Sequence, residues 1–258
     1  MSVKISMVLP TFNSREYIEE CLDSIQNQDF EDYEIIIVDD CSTDGTKNWL
    51  IENGYKFYTN DTNQGFAKTV NKGILLSTGD FIAILDHDIV YEKDYLKKIY
   101  HGTKDIGAGR YYYYGNKNRI RALNIKVNPL TGISKVIGRD EIDRGQYDSL
   151  TNIDAMGAGG LLIKREIFNK IGLLNESFKH YYIDVEFCKR AKDNGFNLTL
   201  TNAKCYHKKD EEVMAKEVRM KFYNDKKLFI KDNMFITALL FFYIKRAIDL
   251  IKYRAHEK

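Results

Sequence analysis

Proline occurs twice in these 258 residues, tryptophan once and cysteine four times. With only 17 glycines beside it, so little proline excludes collagen-like and low-complexity classes. Cys21, Cys41, Cys188 and Cys205 make no CxxC pair and no short spacing. That argues against a disulfide framework or a zinc site, and for reduced, buried thiols in a cytoplasmic protein. No charged leader, apolar stretch and cleavage site precede the strand-like segment around Ile5, so no secretory signal is expected. Long apolar runs are missing too. The longest without a charge, Met234 to Ile244, has 11 residues against the ~20 that span a bilayer. Nor does one charge sign dominate: Lys and Arg number 39, Asp and Glu 37, a net +2 too balanced for a nucleic-acid binder. The sum conceals a gradient, because from Lys204 onward 14 basic residues face 8 acidic ones, leaving residues 1–203 at −4. What is present, 44 % hydrophobic and 29 % charged residues, is the balance of a folded globular protein.

Strand and helix signals alternate through the first half. Ile5–Leu9 is an apolar run ended by Pro10, and Ile18, Cys21, Leu22 and Ile25 recur at helical spacing, predicting a helix over 15–27. Glu34–Val38 is β-branched without alternation, as in a parallel strand buried on both faces. The turn chemistry of Asp39 to Gly45 leads to a helix through Trp49 and Leu50, with Asp44 or Ser42 as its cap. A strand at 56–58, a helix over 66–76 and a buried strand at Phe81–Leu85 complete a βαβαβαβ order. It implies an open, mostly parallel sheet whose ligand site lies beyond the carboxyl ends of its strands. Farther on, Tyr111–Tyr114 reads as a strand, 115–150 as loops or a small hairpin, and Ala155–Lys164 as a glycine-rich turn into a strand. A helix over 183–194, a short strand at 197–200 and two helices over 211–232 and 234–254 close the chain.

Polar loops follow the buried strands at Leu9, Val38 and Leu85. Asp86-His87-Asp88 sets two carboxylates at a strand end, where both can approach one Mg²⁺ or Mn²⁺ ion bridging to substrate phosphates. An isolated Asp-x-Asp is more often a turn; the strand end favours the metal. Asp39-Asp40 could accept the imide N–H of a pyrimidine or hold a ribose hydroxyl, or cap the next helix. In Asn63-Gln64-Gly65-Phe66-Ala67-Lys68, Gly65 permits close backbone approach and Lys68 could hold a diphosphate beside a helix N-terminus. A solvated surface lysine is the alternative. Asp184 opens the helix over 183–194 and can face the cleft, whereas Glu186 lies elsewhere around it. Capping is the alternative for Asp184, and a pair with Arg190 four residues on for Glu186.

These stretches resemble one known family. Val8-Leu9-Pro10-Thr11-Phe12-Asn13, Ile37 through Thr46, Asn63-Gln64-Gly65, Asn71-Lys72-Gly73, Thr78-Gly79-Asp80 and Leu85-Asp86-His87-Asp88 look like the nucleotide-sugar half of the family 2 glycosyltransferases. Gly157-Ala158-Gly159-Gly160 to Ile171-Gly172, and Ile183-Asp184-Val185-Glu186-Phe187-Cys188-Lys189-Arg190-Ala191, resemble its acceptor half, nearest to a rhamnosyltransferase-like subgroup. The resemblance implies an α/β GT-A fold, with a Rossmann-like mostly parallel sheet flanked by helices. It divides the chain into a catalytic domain over 1–207 and a helical extension over 208–258. Within the former, 1–100 would take the nucleotide sugar and 101–207 the acceptor. The implied reaction is inverting and metal-dependent, from a UDP- or dTDP-linked sugar to a surface-glycan acceptor, polysaccharide or lipid-linked, with Mn²⁺ or Mg²⁺.

Carried over by position, the resemblance has Pro10, Thr11 and Asn13 line base and ribose with Asp39, while Asp40 contacts the pyrimidine. Asn63, Gly65, Lys68 and His87 complete the nucleotide-sugar site. Asp86 lies near ribose and metal, Asp88 is the direct metal ligand, and His207 falls where relatives place a third. Asp184 is the general base, with Gly159 and Glu186 toward the acceptor. The chain departs from the family at Ile183, where Glu is common, and at Leu174-Asn175-Glu176, where Phe-Asp-Glu is common. A nucleotidyltransferase is the competing enzyme class, but no glycine-rich basic loop follows the first strand. A non-catalytic glycan-binding scaffold is the other, against which the intact Asp86, Asp88 and Asp184 argue. In the tail, Lys245, Arg246, Lys252 and Arg254 follow the apolar run. That fits a helix on the inner face of the cell membrane, or one packed on its own domain or a second copy. The short run and few charges favour packing.

Overall fold

The computed structural model describes residues 4–208 and 216–256. The first half holds β1 (Ile5–Thr11), α1 (Ile18–Gln26), β2 (Tyr33–Asp39), α2 (Thr46–Glu52), β3 (Phe57–Thr59), α3 (Phe66–Leu76) and β4 (Phe81–Leu85). Next come β5 (Ile89–Tyr91), α4 (Tyr95–Gly102), β6 (Ile106–Tyr113), β7 (Asn116–Ala122), β8 (Asn124–Val127) and β9 (Ser134–Ile137). The chain closes with β10 (Gly160–Lys164), α5 (Arg165–Ile171), α6 (Ile183–Asp193), β11 (Leu198–His207), α7 (Lys216–Asn233) and α8 (Ile236–His256).

The central strands explain apolar runs that lack alternation. Ile5, Met7 and Leu9 of β1 join one hydrophobic layer with Leu22, Leu85 and Tyr95, while Val8 joins the opposite layer with Val70, Ile84 and Phe187. Both faces of the strand are therefore covered, and a period-2 pattern has no polar face to display. The main sheet runs β3-β2-β1-β4-β10-β6-β11-β5, with β7 on β6 and a separate β8–β9 pair. β3, β2, β1 and β4 are parallel, as are β6 and β11, whereas β10 lies antiparallel between β4 and β6. This insertion pairs Gly160 with Leu85 and brings the loop before β10 against the end of β4. β11 pairs antiparallel with β5, His207 opposite Ile89, which sets His207 beside Asp88.

The expected segments 66–76 and 81–85 are α3 and β4. Within 115–150 the expected small hairpin is the antiparallel β8–β9 pair, but β7 adds a strand that was not expected, and the strand expected at 197–200 extends to His207 through a register shift between Leu200 and Lys204. Helices α4 and α5 had not been anticipated. The start of the first tail helix, expected at 211, lies outside the described residues.

Candidate active site

The loops after β1 and β2 are braced by Asp39. Its carboxylate, fully buried, accepts the Thr11 hydroxyl at 3.1 Å, the Ser42 hydroxyl at 2.5 Å and the Ser42 N–H at 2.9 Å, with Lys47 Nζ 3.8 Å away. Asp40 ties this corner to the start of α3: Oδ1 accepts the Gln64 N–H at 2.7 Å and Asn60 Nδ2 at 2.8 Å, and Oδ2 the Gly65 N–H at 2.8 Å. Asn13 is likewise engaged, donating its N–H to Ser42 Oγ and accepting the Thr43 N–H at Oδ1, both at 2.9 Å. These three residues, expected against base and ribose, also brace the loops that carry them. Pro10 and Thr11 are buried, while Asn63 and Lys68 are exposed and Gly65 half-buried. Lys68 Nζ donates to Gln64 Oε1 at 3.4 Å. Phe12, between them, exposes 43 % of its surface.

At the end of β4 the carboxylates crowd. Burial and the Asp88 charge push the Asp86 carboxyl up to about 6, against the opposing pull of His87 and Arg121. His87 donates its N–H to Asp86 Oδ1 at 3.0 Å, and its Nδ1 lies 3.5 Å from the same oxygen. Asp88 Oδ1 is buried without a hydrogen-bond partner, 3.5 Å from His207 Nε2. Among the described residues no three His, Cys, Asp or Glu side chains gather into a cage. A phosphate-bridging Mg²⁺ or Mn²⁺ needs only one or two carboxylates, so an orphaned buried acceptor beside an imidazole nitrogen fits such an ion. Asp88 and His207, with Asp86 adjoining, would hold it.

Between this end and α6 stands the loop Gly157–Gly160, pinned by three buried phenols. Tyr111 Oη donates to the Gly157 carbonyl at 2.9 Å, Tyr91 to Gly159 at 2.7 Å and Tyr95 to Gly160 at 2.7 Å; burial keeps all three protonated by raising their pKa well above the usual value. Tyr91 Oη also accepts the Asp86 N–H at 3.0 Å. Gly159 is required for contact: a Cβ there would come within 2.7 Å of Asp86 Cβ. Gly159, expected toward the acceptor, thus also backs Asp86.

On the far side of the loop, Asp184 accepts the Val185 N–H at 2.8 Å and a backbone N–H from Ala158. Burial outweighs both and raises its carboxyl to about 6. It is not the helix cap, a position held by Tyr182 at φ 62°. For Glu186 the structure shows the ion pair with Arg190. Glu186 is buried, with Arg190 Nε to Oε1 at 2.8 Å and Nη2 to Oε2 at 3.0 Å, while the same guanidinium binds the Ile171, Gly172 and Leu173 carbonyls.

Sequence reasoning missed two residues. Arg121 of β7 acts electrostatically on Asp86, and its Nη1 is buried without a hydrogen-bond partner; nothing in its polar stretch advertised a strand. Asp225 of α7, buried, accepts the N–H groups of Lys179, His180 and Tyr181 at 2.9–3.2 Å, fixing the segment that leads into Asp184.

An α/β sheet carries a carboxylate cluster at the ends of its strands and faces a further carboxylate in the first turn of a helix, and the comparisons place such a chain in a family. The model of glycosyl transferase family 2 matches residues 6–172, and the chain belongs to that family. It is 27 % identical over 189 residues to Glycosyltransferase GlyG of Streptococcus pneumoniae serotype 4, covering 68 % of this chain and 61 % of that protein, so the chain spans about three fifths of this relative. The fold matches S. aureus TarS 1-349 in complex with UDP-GlcNAc (TM-score 0.60, 22 % identity, 87 % of this chain and 65 % of that one). It also matches GalNAc-T7 with UDP, GalNAc and Mn²⁺ (TM-score 0.66, 17 % identity, 82 % and 45 %). At such identities these neighbours show the fold, that of the GT-A glycosyltransferases. Asp184 and His207 lie beyond the family match.

Proposed function

We propose that this chain is an inverting, metal-dependent glycosyltransferase. It moves a hexosyl or rhamnosyl unit from a UDP- or dTDP-linked donor to a hydroxyl of a surface glycan, polysaccharide or lipid-linked. The observation that carries this reading is the meeting of Asp86 and Asp88 at the end of β4 with Asp184 of α6 across the Gly157–Gly160 loop. The solved relatives support it, one holding UDP-GlcNAc and the other UDP, GalNAc and Mn²⁺. On this reading residues 1–100 take the donor, 101–207 the acceptor, and 208–258 form a helical extension. The exposed Phe12 ring stacks on the base, and Asn63 and Lys68 lie on the rim of the same site.

Inversion needs the acceptor hydroxyl to attack the anomeric carbon opposite the diphosphate. As the new C–O bond forms and the bond to the diphosphate breaks, Asp184 takes the hydroxyl proton. The unpaired Nη1 of Arg121 donates to the leaving diphosphate. A bound divalent ion would neutralise charge on that leaving group.

Titration calorimetry of UDP and dTDP with and without Mn²⁺ tests the reading. One nucleotide binds wild type in a Mn²⁺-dependent manner, and Asp88→Asn loses the Mn²⁺ dependence while keeping its melting temperature. Binding of neither nucleotide favours a scaffold. Full turnover in excess chelator removes the metal.

A further inference from the structure

α8 turns an apolar face outward. Ile236, Leu240, Phe241, Tyr243 and Ile244 are 78, 65, 48, 46 and 50 % exposed, although the same helix buries Ala238 and Phe242 against Ile230 of α7. At 100° per residue the five occupy one continuous arc, opposite the packed side. Packing on the chain's own domain therefore uses one side of α8 and leaves the more apolar one uncovered. Leu130 and Ile133 are exposed as well, 57 and 41 %, and Ile133 lines a crevice with Phe241 at one edge of that face. Their loop is seated against α7 and α8 at Gly132, where a Cβ would meet Ile230 at 2.6 Å.

The patch is bordered by cations. Lys227 Nζ lies 5.4 Å from the Tyr243 ring centroid, the exposed Lys245 lines the same crevice as Phe241, and Lys231 is exposed on α7. Among the described side chains of α7 and α8 only Asp232 is an exposed acid, since Asp225 is buried on backbone N–H groups. α8 has 21 residues, about 31 Å of helix, yet no helix among the described residues is apolar enough to cross a membrane. An apolar arc flanked by lysines suits a helix lying in the headgroup region. A two-fold contact with a second copy would instead turn Lys227, Lys231 and Lys245 toward their own counterparts with little acid to offset them.

We infer that the outer face of α8, with Ile133 at its edge, docks this protein on an anionic lipid surface. The inference deepens the proposed function, resting on it only for the choice of a lipid-linked acceptor. A crevice of about 230 Å³ between Ile133, Ser134, Phe222 and Phe241 opens beside the patch, and Ser134 Oγ lies 3.1 Å from the hydroxyl of Tyr182, two residues before Asp184. Ser134 thus links the crevice beside the docked face to the segment that leads into the candidate base.

The test is flotation of the full chain with phosphatidylglycerol-containing and pure phosphatidylcholine vesicles, with its mass in solution measured by light scattering. Wild type floats with the anionic vesicles, less so as salt rises. Leu240→Glu/Ile244→Glu abolishes flotation. Lys227→Gln/Lys245→Gln, which leaves every apolar contact intact, lowers partitioning roughly thirtyfold. Both variants keep wild-type UDP or dTDP binding. Wild type that ignores anionic vesicles overturns the inference, as does a dimer that Leu240→Glu/Ile244→Glu splits. Flotation without nucleotide binding would leave the docking and remove the transferase reading.

Discussion

Asp184 keeps its proton to about pH 6 because burial outweighs the N–H donors from Val185 and Ala158, and the sign of that shift sets two outcomes. A carboxyl held by the fold above its ordinary 3.8 makes the native state bind the extra proton, so stability falls as pH rises from about 4 through 6. Asp184→Asn escapes this loss. It should be more stable than wild type at pH 7.5, by about 1–3 kcal/mol, and no more stable below about pH 4. The same substitution removes the proposed base, so kcat should drop ~10²–10⁴-fold with donor Kd unchanged, and wild-type kcat should fall below pH 6. Paired melts and turnover measurements check both; a variant that stays active, or melts lower at neutral pH, removes Asp184 from the role. Arg121 poses the opposite case, a cation whose Nη1 has no partner to lose. Arg121→Gln should weaken UDP or dTDP binding, or kcat, about 10–100-fold, without lowering the melting temperature. A stability loss with unchanged kinetics would make Arg121 a support of β7 alone.

Among the elements, α7 contributes most through one side chain. Asp225 satisfies three consecutive N–H groups just before α6, where Tyr182 sits at positive φ. Asp225→Asn leaves one oxygen for three donors and sets an amide N–H₂ against them. It should cost about 2–4 kcal/mol and lower kcat about tenfold, by more than it weakens donor binding. Asp225→Glu should recover part of kcat; equal losses in kcat and donor binding would indicate general unfolding instead. No sequence pattern announces such a contact, since acceptor and donors stand 44–46 positions apart. The central strands were readable because both faces are apolar, and α3 because Ala67, Val70 and Ile74 repeat on its buried side. β7 was not: Asn-Lys-Asn-Arg-Ile-Arg-Ala exposes its first four residues and hangs at the edge of β6, so backbone pairing rather than side-chain burial makes it a strand.

Across the whole molecule, the site divides between what a chain-order reading can see and what only the sheet order supplies. Asp86 and Asp88 are legible because they follow a buried run; Asp184 follows from its helix start. Their convergence is not, for it depends on β10 entering antiparallel between β4 and β6. The insertion brings the glycine loop against Asp86 on one side and Asp184 on the other. Likewise His207 reaches Asp88 only because β11 runs past the expected end at 200 and pairs with β5. Asp39 and Asp40 were legible as important, but their bracing of the loops was not, because its partners stand up to 28 positions away in the chain.

The grip of Asp225 on residues 179–181 bears on protein engineering. Tails after the catalytic sheet look like exchangeable cassettes, and a chimera would naturally be joined near residue 208. Here such a junction would strip the segment leading into Asp184 of its carboxylate, whatever lipid or partner preference the new tail carried. A functional graft must bring an acidic residue to the same point in space, or keep α7 and begin after it.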